Sequence, residues 1–293
     1  MPPPLPYLKC INLTTREIVE LSTALPSAPR ILARVQAALE RRRVSTEQLV
    51  ELVQADAGLC GALLKVANGS VFAGEAAVDS VQEAIGRVGF KELHRLLGLA
   101  VVRQLCCPGL PVYGVAPERL WENSIMVALG LLRLVERAGG NGPMAYTVGL
   151  LRPTGMMVLE AAVSRYQLRR VASASLVDGA SELWERGQFG LRAAEVTEVL
   201  LRHWGFPEEV CEAMRYQHNP IEQPGRPRVP ALLNVCCGLA QQLGYGLPFE
   251  KGQWMLSGDV VAQAGLKMGD AEAFAPELER EFKELRSRLT LRG

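Results

Sequence analysis

The 293-residue chain sets 32 Lys and Arg against 31 Asp and Glu, a net charge of +1 that supplies no broad positive field, so nucleic acid and anionic lipid are not expected partners. Hydrophobic residues at 48% and charged residues at 22% describe a folded globular protein rather than a disordered one. No apolar run reaches the roughly 20 residues that cross a bilayer, and the start MPPPLPYLKC lacks the basic and apolar stretches of a leader, so a cytoplasmic protein without membrane contact is expected.

Apolar residues recur with the helical period along most of the chain, and strand-like alternation is nearly absent. The pattern predicts helices over 14–24, 28–41, 45–54, 56–68, 80–88, 90–105, 117–138, 144–151, 154–166, 170–178, 190–204, 207–217, 228–243 and 270–289. Ser45 with Gln48, and Ser80 with Glu83, have capping-box spacing. The cluster Glu40-Arg41-Arg42-Arg43 falls at a helix end, where cations complement the dipole. In 56–68 the small residues Gly58, Gly61, Ala62 and Ala67 are expected to let neighbouring helices come close, with Asn68 and Ser70 turning the chain beyond them.

Leu93, Leu96, Leu97, Ala100 and Val101 form one apolar stripe. Pro117 suits a first helical turn, and Gly139-Gly140-Asn141-Gly142-Pro143 ends the helix it begins. The tail carries Leu278, Phe282 and Leu285 on one side of an amphipathic helix, expected to dock on the core. The seven cysteines include the neighbours Cys106-Cys107 and Cys236-Cys237 but no Cys-x-x-Cys, which implies buried reduced thiols rather than a disulfide framework or zinc ribbon. The expected fold class is all-α, a multi-helix bundle in two lobes that meet near the Pro/Gly-rich stretch Cys107 to Pro117.

One stretch interrupts this regularity. In GLLRPTGMMVLE, Gly149 to Glu160, Pro153 removes a helical hydrogen bond and biases Arg152 away from the α region, so a break between two helices is expected there. Gly155 would let the next helix begin close by.

The order of motifs resembles the HDOD domain, a bacterial signalling module related to the HD-type phosphohydrolases. It is carried by ALPSAPRILARVQAAL, STEQLVELVQADAGLCGALLKVANGSVF and VDSVQEAIGRVGFKELHRLLGLAVV, then by RLWENSIMVALGLL, GLLRPTGMMVLE, AAEVTEVLLRHWGFPEEVCEAMRYQHNP and ALLNVCCGLAQQLG, over about residues 21 to 245. The resemblance implies an HDOD/HD-domain-like organisation: an extension over 1–20, an N-terminal helical lobe over 21–110, a degenerate HD-like lobe over 111–245 and a C-terminal helical extension over 246–293.

It also implies where a metal site would lie. The metal-binding relatives carry His or Asp where this chain has Asn123, Arg152, Pro153, Ala193, Gln217 and Cys237, and His218 is the one imidazole kept. Arginine has no lone pair to offer and proline no side-chain donor, whereas a divalent cation needs several oxygen or nitrogen ligands acting together. The other histidines, His94 and His203, fall in different predicted helices from His218, and no pair has the i, i+4 spacing of a helical metal site. No metal and no other cofactor is therefore expected, and neither a phosphate loop nor a nucleophile elbow is present in the sequence.

The expected function is a non-catalytic bacterial signal-transduction module that acts by binding a signalling protein or a nucleotide-type ligand. Asn123, Arg152, Gln217, His218 and Asn234 are the expected lining of the vestigial pocket, with Arg152 holding either an anion or an internal carboxylate. The alternatives are a residual metal-dependent phosphohydrolase or phosphodiesterase and, more weakly, a nucleic-acid-binding regulator.

Overall fold

The computed structural model describes residues 10–25, 32, 46–54, 57–69, 77–168, 180–254 and 256–290. The expected helix over 28–41 apart from Leu32, the expected helix over 170–178, the Ser45 cap, Ser70 and the basic cluster at 40–43 lie outside them. The described elements are α1 Thr15–Leu21, α2 Thr46–Gln54, α3 Ala57–Ala67, α4 Val81–Val88, α5 Phe90–Cys106, α6 Pro117–Arg137, α7 Gly142–Leu151 and α8 Thr154–Arg165. They continue with α9 Ala180–Phe189, α10 Ala193–His203, α11 Glu208–Arg215, α12 Arg228–Gln242, α13 Gly258–Gln263 and α14 Met268–Thr290. The class is all-α. Among the described residues the one isolated β-bridge joins Leu110 to Val115, and no described helix is long and apolar enough to cross a membrane.

Local signals account for many of the helix ends. Thr14 caps α1 in a full capping box with Glu17, and Ser80 accepts from Glu83 N at 3.1 Å to start α4. Pro117 is the first residue of α6, where its missing N–H is no loss. Asn68 clips the end of α3 to the chain before α4, donating to Val78 O and accepting from Val78 N, both at 2.7 Å.

Two helices escaped the periodicity. The short α13 is one. The other is α9, whose inward residues Ser181, Glu185 and Gln188 are polar, so its buried face carries little apolar signal.

Of the small residues expected to bring helices close in 56–68, Ala67 is fully buried while Gly61 is exposed, with nothing near its Cβ position. A Cβ on Gly149 would sit 2.5 Å from Ala128 Cα, so α7 lies almost backbone to backbone on α6. A Cβ on Gly98 would meet Leu150 Cδ1 at 2.6 Å, which brings α5 onto the same helix. At Gly130, α6 faces Cys236 of α12 and Leu278 of α14.

The tail docks as expected, with Phe274, Leu278, Phe282 and Leu285 buried and Arg133 and Arg137 of α6 paired to Glu281 and Glu277. At the other end, residues 10–14 run along α9 through Ile11 N to Gln188 O and Leu13 N to Phe189 O, at 2.9 and 3.0 Å. No disulfide joins the seven cysteines; four are buried, but Cys10 and Cys107 are exposed and Cys60 is partly so, which corrects the expectation of buried thiols at those three positions.

The seam between α5 and α7 holds His94, buried, with Nε2 3.0 Å from Thr147 Oγ1 and its ring edge-on to Tyr146. Burial pulls its value down to about 4 from the ordinary 6.5. Between those values the unfolded chain binds a proton that the folded chain refuses, so this contribution is complete above pH 6.5 and is lost as pH falls to about 4. In urea titrations, wild type is expected to lose about 3 kcal/mol relative to His94→Gln between pH 7 and 4. An equal loss in both proteins would remove His94 as the cause.

Candidate functional site

The corner at GLLRPTG is tighter than its sequence implies. α7 ends at Leu151, α8 starts at Thr154, and only Arg152 and Pro153 lie between. Arg152 keeps α-region angles, φ −47° and ψ −44°, despite the proline that follows, which corrects the expectation that it would leave that region. Hydrogen bonds outweigh the steric bias. Thr154 Oγ1 donates to Leu151 O at 2.8 Å, and Thr197 Oγ1 lies 3.3 Å from Arg152 O while accepting from Gly155 N at 3.0 Å. A Cβ on Gly155 would fall 2.0 Å from Ala193 O, so only glycine lets α8 begin against α10.

This corner aims Arg152 into the middle of the protein, where its side chain is 0% exposed. Nη1 donates to Glu250 Oε1 at 2.6 Å and Nη2 to Asn123 Oδ1 at 2.5 Å. Glu250 takes its second bond from Trp254 Nε1 at 3.1 Å, and the guanidinium lies over the Trp254 ring at 5.4 Å. Burial pulls the guanidinium down, but the Glu250 carboxylate more than offsets this and holds it above its ordinary value. Asn123 is fixed in turn by donating to Tyr245 O at 2.9 Å.

Trp254 also meets one of the remaining expected residues. The His218 ring packs on Trp254 at 4.4 Å between centroids, and its Nδ1 lies 2.7 Å from Glu182 Oε1, an ion-pair approach without the alignment of a hydrogen bond. Asn234 donates to Gln217 O at 2.8 Å and His218 O at 3.3 Å, fastening the turn after α11 to α12. The structure thus joins Asn123 to Arg152 and Gln217 and His218 to Asn234, and Trp254 bridges the two groups.

Besides the His218 Nδ1 and Glu182 Oε1 atoms that approach each other, Arg152 Nε, Gln217 Oε1, His218 Nε2 and Asn234 Oδ1 are buried here without a hydrogen-bond partner. Glu250 and Trp254 were not foreseen. They come from 246–293, beyond the span of the resemblance, and nothing in PFEKGQW marks them as partners of Arg152.

The donor set does not fit a divalent metal. A fixed cation sits at the centre and already has its counter-charge in Glu250, Ala193 and Pro153 offer no side-chain donor, and burial pushes the Cys237 thiol up to about 12, far from a thiolate. Among the described residues no three His, Cys, Asp or Glu side chains converge as a metal site. What the arrangement does is neutralise a buried charge and tie α6, α7 and the 248–254 turn together.

Known proteins share this architecture. A family model described as the HDOD domain matches residues 25–220. An uncharacterized protein of Treponema pallidum (strain Nichols) is 25% identical over 204 residues, which is 68% of this chain and 39% of that protein. A candidate signal transduction protein of Marinobacter aquaeolei VT8 superposes with a TM-score of 0.71 at 22% identity, covering 96% of this chain and 62% of that one. An HDOD domain protein of unknown function from Geobacter sulfurreducens gives 0.63 at 19% identity, over 93% and 96% of the two chains. A candidate phosphohydrolase of Shewanella amazonensis SB2B gives 0.64 at 23%, over 90% and 92%. At these identities the solved structures show a common fold, and the chain spans only part of the Treponema and Marinobacter proteins.

Proposed function

Since this chain belongs to the HDOD family, we propose that it is a bacterial regulatory module that works by binding a signalling partner and not by hydrolysis. The observation that supports this most is the Arg152–Glu250 pair, which fills with an internal ion pair the corner where the HD-type relatives would hold metal. A guanidinium at that point repels the cation that the hydrolytic reaction needs to activate water and clamp phosphoryl oxygens.

Of the five pocket residues, Asn123 and Arg152 hold the pair in place. Gln217, His218 and Asn234 are those we propose for contact with a partner or a small polar ligand, because their free atoms have no other use. The carboxylate that Arg152 holds belongs to the protein itself, so an anionic ligand there would have to displace Glu250.

A residual phosphohydrolase remains the second reading, favoured by the fold shared with the Shewanella protein. Elemental analysis of the purified protein, with hydrolysis of a phosphodiester chromogen in added manganese, iron or zinc, separates the two. Substoichiometric metal and turnover no higher than that of the heat-denatured protein are expected. Turnover abolished by a chelator and restored by one metal would overturn the binding-module reading.

A further inference from the structure

Helix α9 has an unusual seat. Its inward residues are Ser181, Trp184, Glu185, Gln188 and Phe189, three of them polar. Two rings anchor it: Trp184 meets Tyr113 edge-on at 5.6 Å and Phe189 at 5.3 Å. The rest of the seat is polar. Ser181 Oγ accepts from Gln253 Nε2 at 2.7 Å, Glu182 approaches His218, and Glu185 accepts from Tyr113 OH and from Ala193 N, both at 2.8 Å. Such bonds exchange for bonds to water with little net loss, unlike the apolar burial that fixes α6 and α12. Trp184 Nε1 is buried with no partner at all.

The helix also covers the candidate site. Ser181 touches the Phe249 carbonyl and Glu182 faces His218, so α9 lies against the Glu250–Trp254 turn and the His218 ring. We propose that α9 is a releasable cover over the Arg152 site, latched by the buried Glu185 side chain, and that it opens as a unit to admit a partner to His218 and Trp254.

Charge explains the latch. Glu185 and Glu250 are both buried, and the buried Arg152 guanidinium is committed to Glu250. The titratable and charged groups around Glu185 are Tyr113 and Glu250 on their turns, Glu182 on α9 with its partners His218 and Arg192, and Glu160 of α8, which faces Tyr113. Burial pushes Glu185 up to about 8, against the lowering pull of the bonds from Ala193 N and Tyr113. Opening returns the carboxyl to water and its ordinary value of 4.5. The closed helix therefore holds a proton that the open one releases, and the stability this gives is complete below pH 4.5 and lost as pH rises through 8.

Hydrogen exchange on the full chain at pH 6, 7 and 8, corrected for intrinsic rates, tests the cover. The amides of α9 are expected to open more often than those of α6 and α12, with the open population rising about ninefold from pH 6 to 7 and about fivefold from 7 to 8, where the closed carboxyl itself begins to ionise. Glu185→Gln should flatten that dependence. Tyr113→Phe, which keeps the carboxyl but removes one bond to it, should open the helix more at every pH and preserve the slope. Exchange of α9 only at the rate of α6 and α12, or an unchanged slope in Glu185→Gln, overturns the proposal. What the opening is for rests on the binding-module reading, but the experiment reads the opening itself and can fail while that reading stands.

Discussion

Replacing Arg152 by alanine is expected to destabilise the protein by about 3–5 kcal/mol, because it leaves the Glu250 carboxylate buried with only the Trp254 indole for company. Both side chains are essentially sealed from solvent, at 0% and 1% exposure, so neither can turn out to find water. The loss measures the strandedness of Glu250 more than the worth of the pair. Paired charges recover by attraction little more than burial takes from them, so Arg152→Met with Glu250→Leu should regain most of the stability that either single change removes. Arg152→Lys is expected to fall between, since an ammonium cannot reach Glu250 and Asn123 as a planar fork does. Urea unfolding of the four proteins at pH 7 gives the comparison. A loss below about 1 kcal/mol in Arg152→Ala would show that the pair is not the keystone described above.

Gly155→Ala is expected to weaken the fold by about 3 kcal/mol, although alanine is the better helix former. The added methyl would lie 2.0 Å from Ala193 O and 2.6 Å from Thr197 Oγ1. The first of these is backbone and cannot rotate aside. Relief requires moving α8 away from α10, which also lengthens the Gly155 N to Thr197 bond and loosens the corner that aims Arg152. Gly86→Ala in α4 is the control: it meets nothing within 4 Å, and the same substitution there should stabilise by about 0.5–1 kcal/mol. A neutral Gly155→Ala in thermal melts would mean that the two helices part at little cost.

The sequence offers the candidate residues as separate positions and not as an arrangement. Asn123, Arg152, Gln217, His218 and Asn234 are all buried or nearly so, and Arg152 and His218 both meet Trp254, yet that tryptophan and the glutamate beside it were not among them. The residues around Arg152 in sequence leave it two kinds of partner, an outside anion or an internal acid. The structure supplies the internal one from a segment 98 residues away.

The sequence by itself determined where most helices begin and end, and that Arg152 and Pro153 at the corner have no side-chain lone pair to offer. Those properties are local: a repeat of apolar residues, a cap, a proline, a side chain without a lone pair. Tertiary structure decided the rest. Which carboxylate answers Arg152, which glycine faces a backbone and which stands in water, and that α9 is a helix at all depend on residues far apart in the chain meeting in space. A helix whose buried face mixes Ser181, Glu185 and Gln188 with only Trp184 and Phe189 shows no clear apolar period, and its polar partners Phe249, Gln253, Tyr113 and Ala193 are fixed by the fold and not by its neighbours in sequence.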